Sequence, residues 1–135
     1  MSEWTLIATV GLPYAGKTSW AMLQGHPIVC PDAIRLALHG ERYLPAAERM
    51  VWVLAHYMVR ALFEAGHHTV ILDATNTTEE RRAEWLNDDW RLQFKCFRTP
   101  ADECRARALR AGDPKIVEVI ERMADKLTWP EEAAP

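Results

Sequence analysis

Residues 11–18 constrain this chain more than any other stretch. Gly11-Leu12-Pro13-Tyr14-Ala15-Gly16-Lys17-Thr18 satisfies every fixed position of G-x-x-x-x-G-K-[ST]. The β-rich run Trp4-Thr5-Leu6-Ile7-Ala8-Thr9-Val10 precedes it, and a helix-forming run from about Lys17 to Leu23 follows. Glycines here permit backbone angles that bring successive N–H groups onto phosphate oxygens. The helix that starts near Lys17 adds its positive dipole end. Lys17 then bridges terminal phosphates, and the Thr18 hydroxyl is a ligand for Mg²⁺. A nucleoside triphosphate, ATP or another, is the expected ligand. The bland alternative is a glycine-rich turn with an exposed lysine.

The rest of the chain continues the alternation. Ile28-Val29-Cys30 reads as a short buried strand, and Asp32 to His39 as a helix closed by Gly40. Pro45 to Ala65 predicts a long amphipathic helix with Met50, Val51, Val53, Leu54, Tyr57, Met58, Ala61 and Leu62 on its apolar side. Thr69 to Leu72 is a strand that ends at Asp73. Thr77-x-x-Glu80 has the form of a capping box opening the next helix. Leu92 to Phe97 is a fourth strand, and helices follow over about Ala101–Ala111 and Pro114–Leu127. Strands separated by helices predict an α/β fold: a mainly parallel sheet of about four strands with helices on both faces. Ligands of such sheets sit beyond the carboxyl ends of the strands. Gly11, Pro31-Asp32, Asp73 and Arg98 each follow such an end.

With 135 residues the expectation is one domain over 1–130 and a loose tail over 131–135. The longest apolar stretch, Met50 to Leu62, is broken by His56 and Arg60, so no membrane span is expected. The first residues lack a basic n-region and an apolar h-region, and the three cysteines have no metal-ligand spacing. A reducing, cytoplasmic setting follows. The net charge of −3 argues against a large basic face that coats nucleic acid. It leans toward a small acceptor and leaves room for a local cluster that grips a few phosphates.

Candidate chemistry gathers at few positions. Asp73, at the end of an apolar strand, suits a metal-holding carboxylate; the alternative is an Asp that merely starts a turn. Thr75 and Asn76 are turn formers or substrate contacts. Asp32 is the candidate for orienting an incoming hydroxyl, with Arg35 three residues on and on the same side of the helix. The competing reading is a helix cap and a surface ion pair. Arg105, Arg107 and Arg110 crowd one late helix, as a charge-neutralising group or a solvated face. Arg81 and Arg82 read as surface residues, and Trp20, Trp52, Trp85 and Trp90 as packing.

Taken together, four segments are similar to a known family: Gly11 through Ala21; Asp32-Ala33-Ile34-Arg35; Leu72 through Arg82 with Trp85; and Pro100 through Arg110 with Glu121-Arg122-Met123. The chain resembles the kinase domain of phage-type polynucleotide 5′-hydroxyl kinases, within the wider set of small P-loop kinases. The resemblance implies transfer of the ATP γ-phosphoryl group, with Mg²⁺, to a 5′-hydroxyl end of a polynucleotide. It implies that Gly11 to Ser19 bind the donor, with Lys17 and Thr18 on phosphate and metal. Asp32 matches the family's general base, Arg35 the arginine on the acceptor's phosphate, and Arg107 a lid arginine on the donor phosphates. The chain departs from the family at three places. Ala74 stands where the family has an acid, with Asp73 one place earlier. Ala111 stands where a second lid arginine falls, so Arg110 substitutes only if the helix turns suitably. Tyr14 replaces a small residue, which would narrow the loop. Two other readings stay open: a P-loop kinase for a nucleoside, sugar or sugar nucleotide, and a nucleotide-binding module without acceptor transfer.

Overall fold

The computed structural model of the chain describes residues 3–40 and 44–132. Its centre is a four-stranded sheet of β1 (Thr5–Val10), β2 (Ile28–Val29), β3 (Thr69–Leu72) and β4 (Arg91–Cys96) in the order β2-β3-β1-β4. Every neighbouring pair is parallel, with Ile7 opposite Ile71 and Gln93, and Val29 opposite Leu72. Helices α1 (Lys17–Met22), α2 (Pro31–His39), α3 (Glu48–Glu64), α4 (Glu79–Ala83), α5 (Ala101–Arg110) and α6 (Ile116–Lys126) flank it. Chain order reverses about β1, so the crevice at the carboxyl ends of β1 and β3 is the place for a ligand.

Two apolar clusters hold the layers together. One packs α3 and the buried rings Trp85 and Trp90 against Leu6, Ala8, Val29, Val70 and Leu72 of the sheet. His56 stacks on Trp85 at 3.8 Å between centroids, and burial lowers its pKa. The other joins Leu12 and Ala15 of the glycine loop to Cys104, Ala108 and Ile120 of α5 and α6. The loop is therefore clamped to the helices that carry the late arginines.

Helix α3 differs from its expected form. Pro45–Ala47 forms a 3₁₀ turn before the α-helix begins. The fully buried stripe is Val51, Ala55, Val59 and Phe63, an i,i+4 row, while Met50, Val53 and Tyr57 face outward. The sheet needs only a narrow seam, which small and β-branched residues fill; Trp52, Leu54 and Leu62 flank it, partly buried. The α4 cap also shifts. Thr78, not Thr77, accepts from the Arg81 N–H, at 3.3 Å. Asn76 takes φ +45°, turning Thr77 inward, where its carbonyl accepts from the Thr128 N–H at 3.0 Å.

The cysteines are free. Cys104 is buried and Cys30 and Cys96 partly so, and burial pushes all three thiols up. Within the expected tail, the Glu132 carboxylate accepts from the Cys96 N–H at 3.0 Å; residues 133–135 lie outside the described residues. No helix among the described residues is long and apolar enough to cross a membrane.

Candidate active site

A cleft of about 960 Å³ opens at the carboxyl ends of the strands. Its lining includes Pro13, Tyr14, Gly16, Lys17, Thr18 and Ser19 from the loop and α1, and Asp32, Arg35, Trp52 and Arg81 from α2, α3 and α4. Gly11, Leu12 and Ala15 are buried behind it. The two loop glycines serve different needs. Gly16 takes φ +103°, which an L side chain rarely adopts. Gly11 has no such angle; a Cβ there would meet the Phe97 carbonyl oxygen at 2.9 Å, so its place is set by the close approach of β4.

Lys17 is held inside the loop, only 8% exposed. Its Nζ donates to the Leu12 carbonyl at 2.6 Å and the Gly11 carbonyl at 3.1 Å. Burial lowers its pKa to about 8, partly countered by the Asp73 carboxylate. Tyr14, at φ +67°, sends its hydroxyl to Asp113 Oδ2 at 2.8 Å, tying the loop to the turn between α5 and α6. The Thr99 hydroxyl donates to the Ala15 carbonyl at 3.0 Å and braces the loop from the β4 side.

Asp73 follows β3 and is 5% exposed. Its Oδ2 accepts from the Thr18 hydroxyl at 2.7 Å. These two oxygens are of the kind Mg²⁺ takes from protein, with phosphate oxygens and waters completing the set. The segment after Asp73 is fixed by buried bonds. Thr9 Oγ1 accepts from the Ala74 N–H at 3.0 Å and donates to the Ala74 carbonyl at 2.7 Å. Asn76 Nδ2 donates to the Thr9 carbonyl at 2.9 Å, and Asn76 is 1% exposed. Of the pair left open in the sequence, Asn76 is the turn former and Thr75 lines the cleft.

At the Asp32 end of the cleft, α2 starts at Pro31 with Cys30 at its N-cap, so Asp32 lies inside the first turn. Its side chain is 62% exposed, and Oδ1 accepts from Arg35 Nη1 at 2.6 Å. Arg35 also makes a two-pronged contact with Glu48, Nε to Oε2 at 2.8 Å and Nη2 to Oε1 at 2.7 Å. That fork holds the Glu48 pKa below its ordinary value. Glu48 carries no local sequence signal; it meets Arg35 only because α3 packs on α2.

Arg107 reaches the loop. Its Nη1 donates to the Tyr14 carbonyl at 3.2 Å and its Nε to Glu103 at 3.1 Å. Arg110, 67% exposed, stands off at 3.5 Å from the same Glu103, and neither it nor Arg105 lines the cleft. Arg98 also stays out and lies over the Trp129 ring at 4.4 Å. The α4 arginines differ: Arg82 is buried and Arg81 partly exposed. Arg82 is 7% exposed and donates to the carbonyls of Asn76 and Thr128 and to the Thr128 hydroxyl. Arg81 lines the cleft with its guanidinium carbon 4.2 Å from the centroid of Trp52, a partly buried residue that packs against the core and also lines the cleft.

The whole lining carries six cations (Lys17, Arg35, Arg81, Arg107, Arg122 and Lys126) against two acids, Asp32 and Asp73. The chain's net −3 thus conceals a cationic cleft.

The parallel 2-3-1-4 sheet, the glycine loop after β1 and the strand-end Asp73 bonded to Thr18 define a P-loop kinase fold. The chain belongs to the AAA_33 family, an AAA domain, whose model matches residues 6–130. It is similar to a chain of the Pnkp1/Rnl/Hen1 complex, with 26% identity and a TM-score of 0.68 over 77% of this chain and 38% of that one. A chain of the Pnkp1/Rnl/Hen1 RNA repair complex matches at 17% identity and TM-score 0.59, over 96% of this chain and 49% of its own length. The Mycobacterium tuberculosis APS kinase CysC, solved with AMPPNP and APS, matches at 18% identity and TM-score 0.64, over 98% and 86%. The chain spans less than half the length of the two Pnkp1/Rnl/Hen1 chains. No curated protein matches the sequence.

Proposed function

We propose that the protein transfers the γ-phosphoryl group of ATP to the 5′-hydroxyl end of a polynucleotide. The observation that carries this reading is the shared cleft: Asp32 and the Lys17–Thr18 segment line one cavity. The Pnkp1/Rnl/Hen1 likeness, to a chain of an RNA repair complex, favours a nucleic-acid acceptor.

In this reading the loop N–H groups, Lys17 and Arg107 hold the donor phosphates. Thr18 and Asp73 would hold Mg²⁺, which supplies charge neutralisation on the transferring group. Asp32 accepts a hydrogen bond from the acceptor hydroxyl and aims it at the γ-phosphorus. The new O–P bond forms as the bond to the β–γ bridging oxygen breaks. The hydroxyl proton passes to Asp32, and ADP departs. Arg35, held by Glu48, keeps Asp32 oriented and presents its cation to the acceptor's nearest phosphate. Positioning and charge stabilisation carry most of the rate.

A second reading, a kinase for a small anionic acceptor, is favoured by the likeness to APS kinase over 86% of that chain's length. Incubation with γ-labelled ATP and Mg²⁺ separates the two. Label is expected on a 5′-hydroxyl oligonucleotide, not on nucleosides, sugars or APS. Asp32→Ala is expected to lower transfer by roughly a hundredfold or more. Label on a small acceptor alone would transfer the assignment to the second reading.

A further inference from the structure

Three of the six cleft cations have no task in the chemistry above: Arg81, Arg122 and Lys126. Lys17 and Arg107 contact the glycine loop, and Arg35 sits beside Asp32. The other three are drawn together by the fold. Arg122 and Lys126 stand one turn apart on α6, facing the cleft with Val119 and Met123, while Glu118, Glu121 and Asp125 of the same helix stay outside its lining. The Thr128 N–H donates to the Thr77 carbonyl at 3.0 Å, and buried Arg82 donates to the Thr128 carbonyl at 2.9 Å. These bonds pin the end of α6 beside the start of α4, where Arg81 stands. Arg122 and Lys126 are exposed and pair with no acid among the described residues. Arg81 pairs with Glu84 at 3.0 Å, both partly exposed, a contact that a phosphate readily replaces. Its guanidinium carbon also lies 4.2 Å from the Trp52 ring centroid, a cation–π contact at the cleft.

We propose that Arg81, Arg122 and Lys126 form a strand-binding rim that holds the phosphates of a single-stranded polynucleotide behind its 5′-hydroxyl end. The inference rests on the acceptor reading above and adds what that reading lacks: residues that distinguish a strand from its terminal nucleotide. A small acceptor presents one or two anionic groups, which Arg35 alone can meet. A strand repeats its phosphates, and a group of three cleft cations, two without an acid partner among the described residues and Arg81 in an exchangeable surface pair, matches that repeat.

The test measures acceptor KM at saturating ATP for a 5′-hydroxyl dinucleotide and a dodecamer of the same sequence. In the unaltered protein the dodecamer is expected to have the lower KM. In the Arg122→Ala, Lys126→Ala double variant the dodecamer KM is expected to rise roughly tenfold near physiological salt. The slope of log KM against log salt should flatten by about 1.4, at about 0.7 per lost contact on a single strand. Arg91→Ala, which removes an exposed cation outside the cleft, is the charge-matched control and should change neither quantity. A KM independent of chain length, or a rise in the ATP KM rather than the dodecamer KM, would overturn the rim and leave the acceptor reading standing. No transfer to any oligonucleotide by the unaltered protein would remove both.

Discussion

The two ends of the cleft are built in opposite ways. The donor end is one contiguous segment, braced by backbone: Lys17 is sunk into its own loop, Thr18 is bonded to buried Asp73, and Phe97 crowds Gly11. The acceptor end is assembled from α2, α3, α4 and α6, and is held by side-chain ion pairs around a largely exposed Asp32. Triphosphate tails are alike, so a rigid local cradle serves them all. Acceptors differ, and a site made of exchangeable side chains on several elements adapts with few substitutions. The Arg35–Glu48 fork, made between α2 and α3, is one such side-chain contact.

Substitutions probe that contrast with graded effects. Lys17→Ala strikes the rigid end and is expected to cost on the order of a thousandfold in transfer, with ATP binding weakened in parallel. Calorimetric titration with ATP reads the second part. Unchanged ATP affinity would show that the loop does not depend on its lysine. Glu48→Gln strikes the adaptable end. It is expected to lower kcat/KM for the acceptor about tenfold, through loss of the charged fork on Arg35, while leaving ATP affinity intact. Loss of ATP affinity in that variant would erase the division between the two ends. The smallest effect is a pH dependence confined to the donor end. Lys17 has a pKa near 8 in the free protein, so it is charged below that value and neutral above it. Values of kcat/KM for ATP should therefore be level below pH 8 and fall on the alkaline side by about tenfold per unit. Lys17→Arg should move that limb upward; a limb that stays in place belongs to another group.

The same contrast explains what the sequence made legible. A contiguous motif between a strand and a helix shows in the letters, and so does a strand–helix alternation that allows little besides a parallel sheet. Asp32 and Arg35 are three residues apart and could be paired from spacing alone. Glu48 could not, because nothing local marks a glutamate that will meet an arginine on another helix. Arg82 reads as a surface cation until the Asn76 turn and the Thr128 carbonyl enclose it. The core stripe of α3 escaped for a related reason. Helical spacing allows several apolar faces, and only the sheet selects the one with Val51, Ala55, Val59 and Phe63.

The central claim is that Asp32 aims a 5′-hydroxyl at the phosphate held by the glycine loop. A crystal structure with a non-hydrolysable ATP analogue, Mg²⁺ and a short 5′-hydroxyl oligonucleotide tests it most directly. The account predicts the terminal oxygen within hydrogen-bond reach of the Asp32 carboxylate, at about 2.6–3.2 Å, and in line with the γ-phosphorus. A 5′ end seated elsewhere, with Asp32 still closed onto Arg35 alone, would contradict it.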